Sequence, residues 1–208
     1  MTLLANKTDL TKADKQYYAA TRKPAIVDLD IYYYLTIEGQ CAPEDPQLLQ
    51  AIEALYKLAY PIKFKLKELE MDFVMPKMEG FWWVDQEIKS SAEFKEVPRS
   101  EWRWKLLIRM PDFVEEHHFS RAQYIAEERN THMPMIKDIK FEKINEGRCA
   151  QILHIGSYEE EEESLEKLYQ FISDQGHTIN NYHHEIYLSD PRRTPEHKLR
   201  TILRYGIS

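Results

Sequence analysis

A carboxylate and a phenol stand two residues apart in a mostly apolar and aromatic stretch near the C-terminus, YHHEIYLSD at residues 182–190. Side chains alternate between the two faces of a strand, so Glu185 and Tyr187 share a face with His183, whereas Ile186 points the other way. A carboxylate can take a proton from a bound molecule, and a tyrosine hydroxyl can donate a hydrogen bond to a developing negative charge. The stretch therefore predicts a ligand-binding or reactive site on one face of a strand.

A second stretch, MEGFWWV at residues 78–84, combines an acid with large aromatic side chains. Alternation puts Glu79, Phe81 and Trp83 on one face of a strand and Trp82 on the other, unless the intervening glycine introduces a bulge. Aromatic walls with one or two acids suit flat organic molecules that carry cationic or polar groups. We expect these side chains, together with one tyrosine of an earlier strand, to bind such a molecule: Tyr33, Glu79, Phe81, Trp82 and Trp83.

The same residues have ordinary structural explanations, which the sequence leaves open. An acid in a strand often faces solvent or pairs with arginine, and Arg200 and Arg204 lie on the next predicted strand, within reach of Glu185. The tryptophan pair can fill a core as readily as it can line a pocket.

The elements that carry these residues occur twice in the same order. Residues 33–39 and 150–156 each read as a strand that ends in glycine, and a helix with an apolar stripe follows each. The first helix has Asp45 as its N-cap and Pro46 at its first position, and we expect Pro61 to end or kink it. Ser157 and Glu160 predict a capping box for the second helix. Two further strands follow each helix.

This duplication predicts an α+β fold in which two βαββ half-repeats, at about residues 25–130 and 138–208, form one mostly antiparallel sheet. Two helices can cover only one face, so we expect a ligand groove on the opposite face, with residues 1–24 as an N-terminal extension. Because Ile186 suits packing beneath the helices, Glu185 and Tyr187 are expected to line that groove. The duplication places Glu79 roughly where Glu185 lies. The residues do not indicate whether the extension fills the groove.

Composition excludes several classes of protein. The 208 residues are 43% hydrophobic and carry a formal net charge of −7, without a basic arm, so we expect no direct contact with nucleic acid. No run of about 18 apolar residues is present, so we expect no membrane span, and the first residues lack an apolar signal core. Cys41 and Cys149 are then best explained as reduced thiols of a cytoplasmic protein.

Other motifs give no sign of a metal or cofactor. The pairs His117-His118 and His183-His184 lack the i, i+4 spacing of a helical metal site, and neighbouring residues of a strand face opposite ways. No glycine-rich phosphate loop and no Gly-x-Ser-x-Gly motif occurs. We therefore expect neither metal nor cofactor. The connection at residues 85–101 is either a lid or a long loop.

Four segments together resemble the stand-alone GyrI-like small-molecule-binding proteins, from about Lys23 to the C-terminus. These are EALYKLAYPIKFKLK, VMPKMEGFWWV, WRWKLLIRMPDFV and HHEIYLSDPRRTPEHKLRTILRYGI. The resemblance implies a pair of βαββ repeats around a shared groove. Related domains sense drugs in multidrug-response regulators, where a groove glutamate meets cationic aromatic drugs, and the resemblance assigns that role to Glu185. Some stand-alone members hydrolyse cyclopropane-bearing, DNA-alkylating natural products, and others protect gyrase from inhibitors.

The resemblance implies a protein that binds flat aromatic or cationic drug-like compounds and hydrolyses cyclopropanoid genotoxins for self-protection. Ring opening by water needs a base and a donor for the oxyanion, and we assign these roles to Glu185 and Tyr187. The alternative is a binding module without chemistry, which sequesters drugs or modulates gyrase inhibition. A transcription regulator is disfavoured, because the first 24 residues are too short for a helix-turn-helix unit. The oligomeric state is not predicted.

Overall fold

The structure is a computed structural model that describes residues 7–86 and 91–208. Within these residues the chain forms one eight-stranded sheet and six α-helices. The strands are β1 (Ala25–Asp28), β2 (Ile31–Gln40), β3 (Met78–Trp83), β4 (Arg103–Met110), β5 (Lys140–Asn145), β6 (Arg148–Ile155), β7 (His183–Tyr187) and β8 (Arg200–Gly206). The helices are α1 (Leu10–Ala13), α2 (Lys15–Tyr18), α3 (Pro46–Glu68), α4 (Ser91–Glu96), α5 (Glu116–Arg129) and α6 (Glu162–Asp174).

The strand order has internal symmetry. The strands lie in the order β1-β6-β8-β7-β3-β4-β2-β5, and every neighbouring pair is antiparallel. The two repeats are β1-β2-α3-β3-β4 and β5-β6-α6-β7-β8. Exchanging each strand for its counterpart gives the same strand order, read from the other edge of the sheet. A pseudo-two-fold axis therefore lies between β3 and β7. The predicted α+β class with two pseudo-symmetric repeats in a mostly antiparallel sheet is confirmed.

Each repeat has one strand more than predicted, and the extra strands are exchanged. β1 belongs to the first repeat but pairs with β6, and β5 belongs to the second repeat but pairs with β2. These two strands form the outer edges of the sheet. The two repeats are therefore joined at both edges as well as at the central β3–β7 pair.

Helix α3 begins as predicted. The side chain of Asp45 accepts a hydrogen bond from the backbone N–H of Gln47 at 2.8 Å, and Pro46 occupies the first helical position. Of the two outcomes expected at Pro61, an end of the helix is excluded, since the helix continues to Glu68. Proline removes one bond of the helical ladder. Leucine and isoleucine side chains on both sides of it remain buried in the same core and outweigh that loss: Leu55, Leu58, Ile62 and Leu66.

The second repeat enters its helix through the predicted capping box. Ser157 and Glu160 cap a 3₁₀ turn at Tyr158–Glu160, which leads directly into α6. The backbone N–H of Ser157 donates to Glu160 Oε2 at 3.3 Å. This turn fixes where α6 begins.

Helices α3 and α6 lie on one face of the sheet and bury two separate hydrophobic clusters. The α3 cluster includes Leu35, Trp104 and Ile108, and the α6 cluster includes Ile152 and Leu203. Strand pairing joins Trp82 to both Trp104 and His183, and joins Glu185 to Leu203. Directly paired residues share a face, so both helices cover the face that carries His183, Glu185 and Tyr187.

The opposite face is covered at its centre by the N-terminal segment. Tyr17, Tyr18 and Leu29 form a third cluster there with Phe81 and Ile186. The sequence left open whether the extension fills the expected groove, and in the structure it covers the centre of that face. The extension thus supplies an apolar cover in addition to the two long helices.

The segment at residues 85–101 is partly structured. It contains α4 and a 3₁₀ turn at Arg99–Glu101, while residues 87–90 lie outside the described part of the chain. Whether the segment acts as a lid stays an open prediction. Among the described residues, no helix has the length and apolar character needed to cross a bilayer.

Candidate active site

Glu185 and Tyr187 face the two helices, and the prediction that they face away from them is wrong. In β7, the intervening His184 and Ile186 lie on the opposite face; Ile186 packs in the cluster formed with Tyr17 and Tyr18. Strand alternation then directs Glu185 to the gap between the α3 and α6 clusters. The separation of the residues into two faces was correct, but the face that each set occupies was not.

Glu185 lies at the base of this gap and is hydrogen-bonded to two side chains of its own strand, those of His183 and Tyr187. Its Oε1 lies 3.1 Å from Nε2 of His183, and 13% of each side chain is exposed. The Tyr187 hydroxyl accepts a hydrogen bond from Nε1 of Trp82 at 3.0 Å. The Tyr158 ring packs edge-on against the Tyr187 ring, with centroids 5.7 Å apart. The gap thus joins one carboxylate, one imidazole and two phenols.

Gly80 makes room for this arrangement. It pairs with Glu185 across the β3–β7 ladder, and β3 continues through it without a bulge. A Cβ atom at this position would lie 3.0 Å from Nε1 of Trp82 and 3.1 Å from the Tyr187 hydroxyl. The absence of a side chain therefore lets the indole and the phenol approach each other over the centre of the sheet.

The phenols of the gap are held in the protonated form. Burial raises the pKa of Tyr187 well above its ordinary value, and the charge of Glu185 raises it further. Burial, followed by the charges of Glu185 and Glu161, raises the pKa of Tyr158 to about 12. Both hydroxyls remain hydrogen-bond donors across the physiological pH range.

Further aromatic side chains continue the wall of the gap beyond Trp82. The Trp102 ring meets Trp82 edge-on at 6.4 Å, and Phe94 of α4 lies 4.5 Å from Trp102. α4 also packs against α6. These contacts place the described part of the 85–101 segment beside the gap.

Glu185 lines neither of two surface hollows of about 360 and 340 Å³. One of these lies beside Arg22, His154 and Lys167, and the other beside Thr36 and Lys140. In the gap itself, Trp82 is buried and the side chains of His183 and Glu185 are 13% exposed.

Glu79, which we predicted to lie near Glu185, is on the opposite face. It pairs with Ile186, so the equivalence that we drew between the two glutamates is one residue out of register, and a slip of one residue reverses the face. Glu79 is fully buried and accepts hydrogen bonds from the hydroxyls of Tyr17 and Tyr18. Its Oε2 also lies 3.1 Å from Nε2 of His184.

The remaining predicted ligand contacts are dispersed. Phe81 packs on His184 on the Glu79 face, with ring centroids 4.3 Å apart, and Trp83 stacks on Tyr182 at 4.6 Å. Tyr33 stacks on Phe141 at 5.2 Å and lies on β2, three strands away from β7. Of the seven predicted site residues, the structure brings together Glu185, Tyr187 and Trp82.

The alternative pairing of Glu185 with an arginine is not realised. Arg200 and Arg204 lie on the opposite face from Glu185, because Leu203 is the residue that pairs with it. Arg204 is fully buried and binds Glu146, with Nη1 and Oε1 3.1 Å apart.

Three residues of the gap were not predicted as site residues: Tyr158, Glu161 and His183. Glu161 belongs to the acidic run at residues 159–163, which has the pattern of a solvated helix start, yet only 6% of it is exposed. His183 carried a signal, since it shares a strand face with Glu185. Tyr158 carried none, because its position depends on how the 3₁₀ turn before α6 packs over the sheet.

Comparison with known proteins agrees with this fold. The model of the GyrI-like small molecule binding domain matches residues 22–205. The chain belongs to this family. An uncharacterized conserved protein from Listeria innocua is 32% identical and superposes with a TM-score of 0.89, over 97% of this chain and 100% of that one. A hydrolase encoded by lin2189 from Listeria innocua is also 32% identical, with a TM-score of 0.86 over 98% and 100% of the two chains.

A more distant solved structure shares the fold alone. The C-terminal domain of EcmrR is 11% identical, with a TM-score of 0.59 over 89% of this chain and 97% of that domain. Among proteins with curated descriptions, none is significantly similar to this GyrI-like chain.

Proposed function

We propose that this GyrI-like protein binds flat aromatic, drug-like molecules in the gap around Glu185 and hydrolyses those that carry an activated cyclopropane. The observation that carries the proposal is the meeting of Glu185, His183 and Tyr187 at the base of an aromatic gap. The family is one of small-molecule-binding domains, and a relative of almost equal length is described as a hydrolase. The reaction would protect a bacterial cytoplasm from alkylating compounds.

The reaction is the net addition of water to a cyclopropane conjugated with a dienone. The water oxygen attacks the ring carbon, the strained carbon–carbon bond breaks, and its electron pair moves to the carbonyl oxygen. The dienone becomes a phenolate, which takes up a proton to give the phenol. Glu185 accepts the proton that the attacking water loses. No oxidant, reductant or leaving group is needed.

Tyr187 stabilises the oxyanion in this scheme. Its oxygen accepts the indole N–H of Trp82, and its own hydrogen, which is bonded to Glu185 in the free protein, turns to the oxyanion when the ligand binds. Burial and the charge of Glu185 keep its pKa raised and the group protonated. Residues two apart on a strand lie about 6.6 Å apart, which is the scale of a six-membered ring with its substituents. Glu185 and Tyr187 can therefore address opposite ends of one dienone ring.

His183 positions the base. Its contact with Glu185 Oε1 restricts the orientation of the carboxylate. Trp82, Trp102 and Phe94 supply flat surfaces on which an aromatic ligand can stack. A bound ligand expels water from the gap, which strengthens the interactions of the charged groups.

The test is multiple turnover. A cyclopropane-dienone genotoxin is incubated in large excess over protein, and the hydrated phenol is quantified by mass spectrometry. The proposal requires many equivalents of product from the natural chain, and a loss of about 10²–10⁴ in kcat when Glu185→Gln removes the base. Tyr187→Phe should lower kcat by a smaller factor. A loss of only a few-fold with Glu185→Gln contradicts the assignment of the base.

The second candidate is a binding module without chemistry, favoured by the family description itself. It sequesters drugs or modulates gyrase inhibition. Protection that stops at one equivalent of genotoxin, with no hydrated product, supports it. Flat cationic dyes would still raise the melting temperature of the natural chain, because a ligand that binds only the folded state stabilises that state.

A further inference from the structure

Three side chains with metal-binding atoms converge in the gap from two elements. Glu161 lies directly before α6, and His183 and Glu185 lie on the helix face of β7. One donor atom from each of these residues lies within 4.8 Å of the other two. From the sequence we expected no metal, because the two neighbouring histidines face opposite ways. The two histidines do face opposite ways, but only His183 is a donor here, and Glu161 comes from a different element than β7.

The spacing of the donors suits one small cation. Two ligands about 2.1 Å from a tetrahedral metal ion stand about 3.4 Å apart. Nε2 of His183 and Oε1 of Glu185 are 3.1 Å apart, so a shift of about 0.3 Å gives them this spacing. A rotation of Glu161 that brings one oxygen within about 3.5–4 Å of both completes a three-ligand set.

The surroundings favour positive charge. Glu161 is buried, and Glu185 is mostly so. Two carboxylates thus lie within one cluster with a single imidazole. A divalent cation between the carboxylates would offset their negative charges.

We propose that Glu161, His183 and Glu185 bind Zn²⁺, and that the bound ion blocks the site by taking the carboxylate of Glu185. Three protein ligands with one nitrogen donor leave a fourth position for water, as zinc prefers. Mg²⁺ and Ca²⁺ prefer more ligands, all of them oxygen, and should bind far more weakly. The blocking part rests on the proposed function, whereas metal binding does not.

Binding is tested without reference to turnover. Purified protein, freed of metal with a chelator, is titrated with Zn²⁺ by calorimetry and with Co²⁺ by visible absorption. We expect about one equivalent of tight Zn²⁺ and a coordination spectrum with Co²⁺. His183→Gln and, separately, Glu161→Gln should weaken binding at least about tenfold, the loss that even an outer-shell change causes. Circular dichroism checks that each variant is folded.

Matched variants control for adventitious binding. His132 is exposed on a loop and Glu166 is exposed on α6, so His132→Gln and Glu166→Gln remove the same groups away from the gap. Both should bind Zn²⁺ like the natural chain. The site is refuted by the absence of saturable binding, or by equal affinity in the natural chain and the His183→Gln variant.

A turnover assay separates this proposal from the proposed function. Zn²⁺ should inhibit hydration of the cyclopropane, and a chelator should restore it. Inhibition that persists after loss of the site in Glu161→Gln overturns the blocking role. The metal-free protein could bind Zn²⁺ tightly and yet form no hydrated product. That result would support the metal site and contradict the proposed hydrolase activity.

Discussion

Glutamate, histidine and tyrosine meet on both faces of the central strands, once around Glu79 and once around Glu185. Around Glu79 the chain itself satisfies the carboxylate, with two tyrosine hydroxyls of the N-terminal segment and an imidazole. Glu185 has its hydrogen-bonded histidine and faces a gap between two helices whose hydrophobic clusters are separate. The same residue types therefore build a closed structural network on one face and an adaptable site on the other.

The closed network extends well beyond Glu79. His184 bridges Glu79 and Glu146, with Nδ1 2.8 Å from Glu146 Oε2, and Arg204 binds Glu146 from the other side. Arg204 also donates to the backbone carbonyl of Tyr17 at 2.6 Å, which ties the N-terminal segment to β8. Every charge in this chain of contacts has an opposite charge beside it, which is the condition under which buried charges are tolerated.

The different roles of the two faces are tested most directly by the same substitution on each face. Glu185→Gln should lower kcat by about 10²–10⁴ and leave the free energy of unfolding within about 0.5 kcal/mol of the natural value. Glu79→Gln should do the reverse, and cost about 3 kcal/mol of stability with kcat retained by the folded fraction. Urea unfolding and steady-state kinetics on both variants decide the matter. If Glu79→Gln alone abolished turnover, the division of roles would be reversed.

Removal of the network's arginine should cost at least as much stability as Glu79→Gln. Arg204→Met leaves the buried carboxylate of Glu146 without one of its cations, so we expect a loss of about 3–5 kcal/mol in the free energy of unfolding. Arg200→Met, on the same strand but exposed, is the control and should change stability by less than about 0.5 kcal/mol. Equal losses in the two variants would contradict a special role for the buried arginine.

Acid should weaken the closed network around Glu146. Burial favours the neutral form of Glu146, but His184 and Arg204 outweigh it and lower its pKa from 4.5 to about 2. A lowered carboxyl pKa contributes stability above the ordinary pKa, and that stability disappears as the pH falls toward 2. The contribution amounts to about 3 kcal/mol.

Urea unfolding measured between pH 5 and pH 2 tests this dependence. The natural chain should lose stability steeply over that range, whereas Glu146→Gln should start lower and show a shallower slope. Parallel slopes in the two chains would mean that other carboxyls control the acid transition.

A substitution at Gly80 should have a more modest effect on stability, and it tests how closely the side chains of the gap are packed. Gly80→Ala places a methyl group about 3 Å from the Tyr187 hydroxyl and the Trp82 indole, and overpacking of this kind costs about 1–3 kcal/mol. In a chain that also carries Tyr187→Phe, the hydroxyl is gone and the cost of Gly80→Ala should fall. A double-mutant cycle by thermal unfolding measures the difference. Additive losses would show that the two residues do not compete for the same space.

Local sequence patterns predicted the elements well where one segment decides the outcome. The Asp45-Pro46 start of α3 and the capping box before α6 depend on residues that are close in sequence. Alternation also separated Glu185 and Tyr187 from Ile186 correctly. These features depend on backbone geometry within one turn or one strand.

Face and register could not be read from the same patterns. The choice of face for Ile186 depends on Tyr17 and Tyr18, more than 160 residues earlier in the sequence, which cover one side of β7. The comparison of the two repeats placed Glu79 opposite the wrong partner, because one residue of offset leaves the apolar pattern similar but reverses the side chains. Contacts distant in sequence decided both points.

The exchange of edge strands makes the two repeats dependent on each other for folding. β1 completes the sheet of the second repeat, and β5 completes that of the first. If the chain were cut between residues 130 and 138, each fragment would carry a strand whose pairing partner lies in the other fragment. Neither piece would be a self-sufficient domain, and the two would be driven to reassemble into the original sheet.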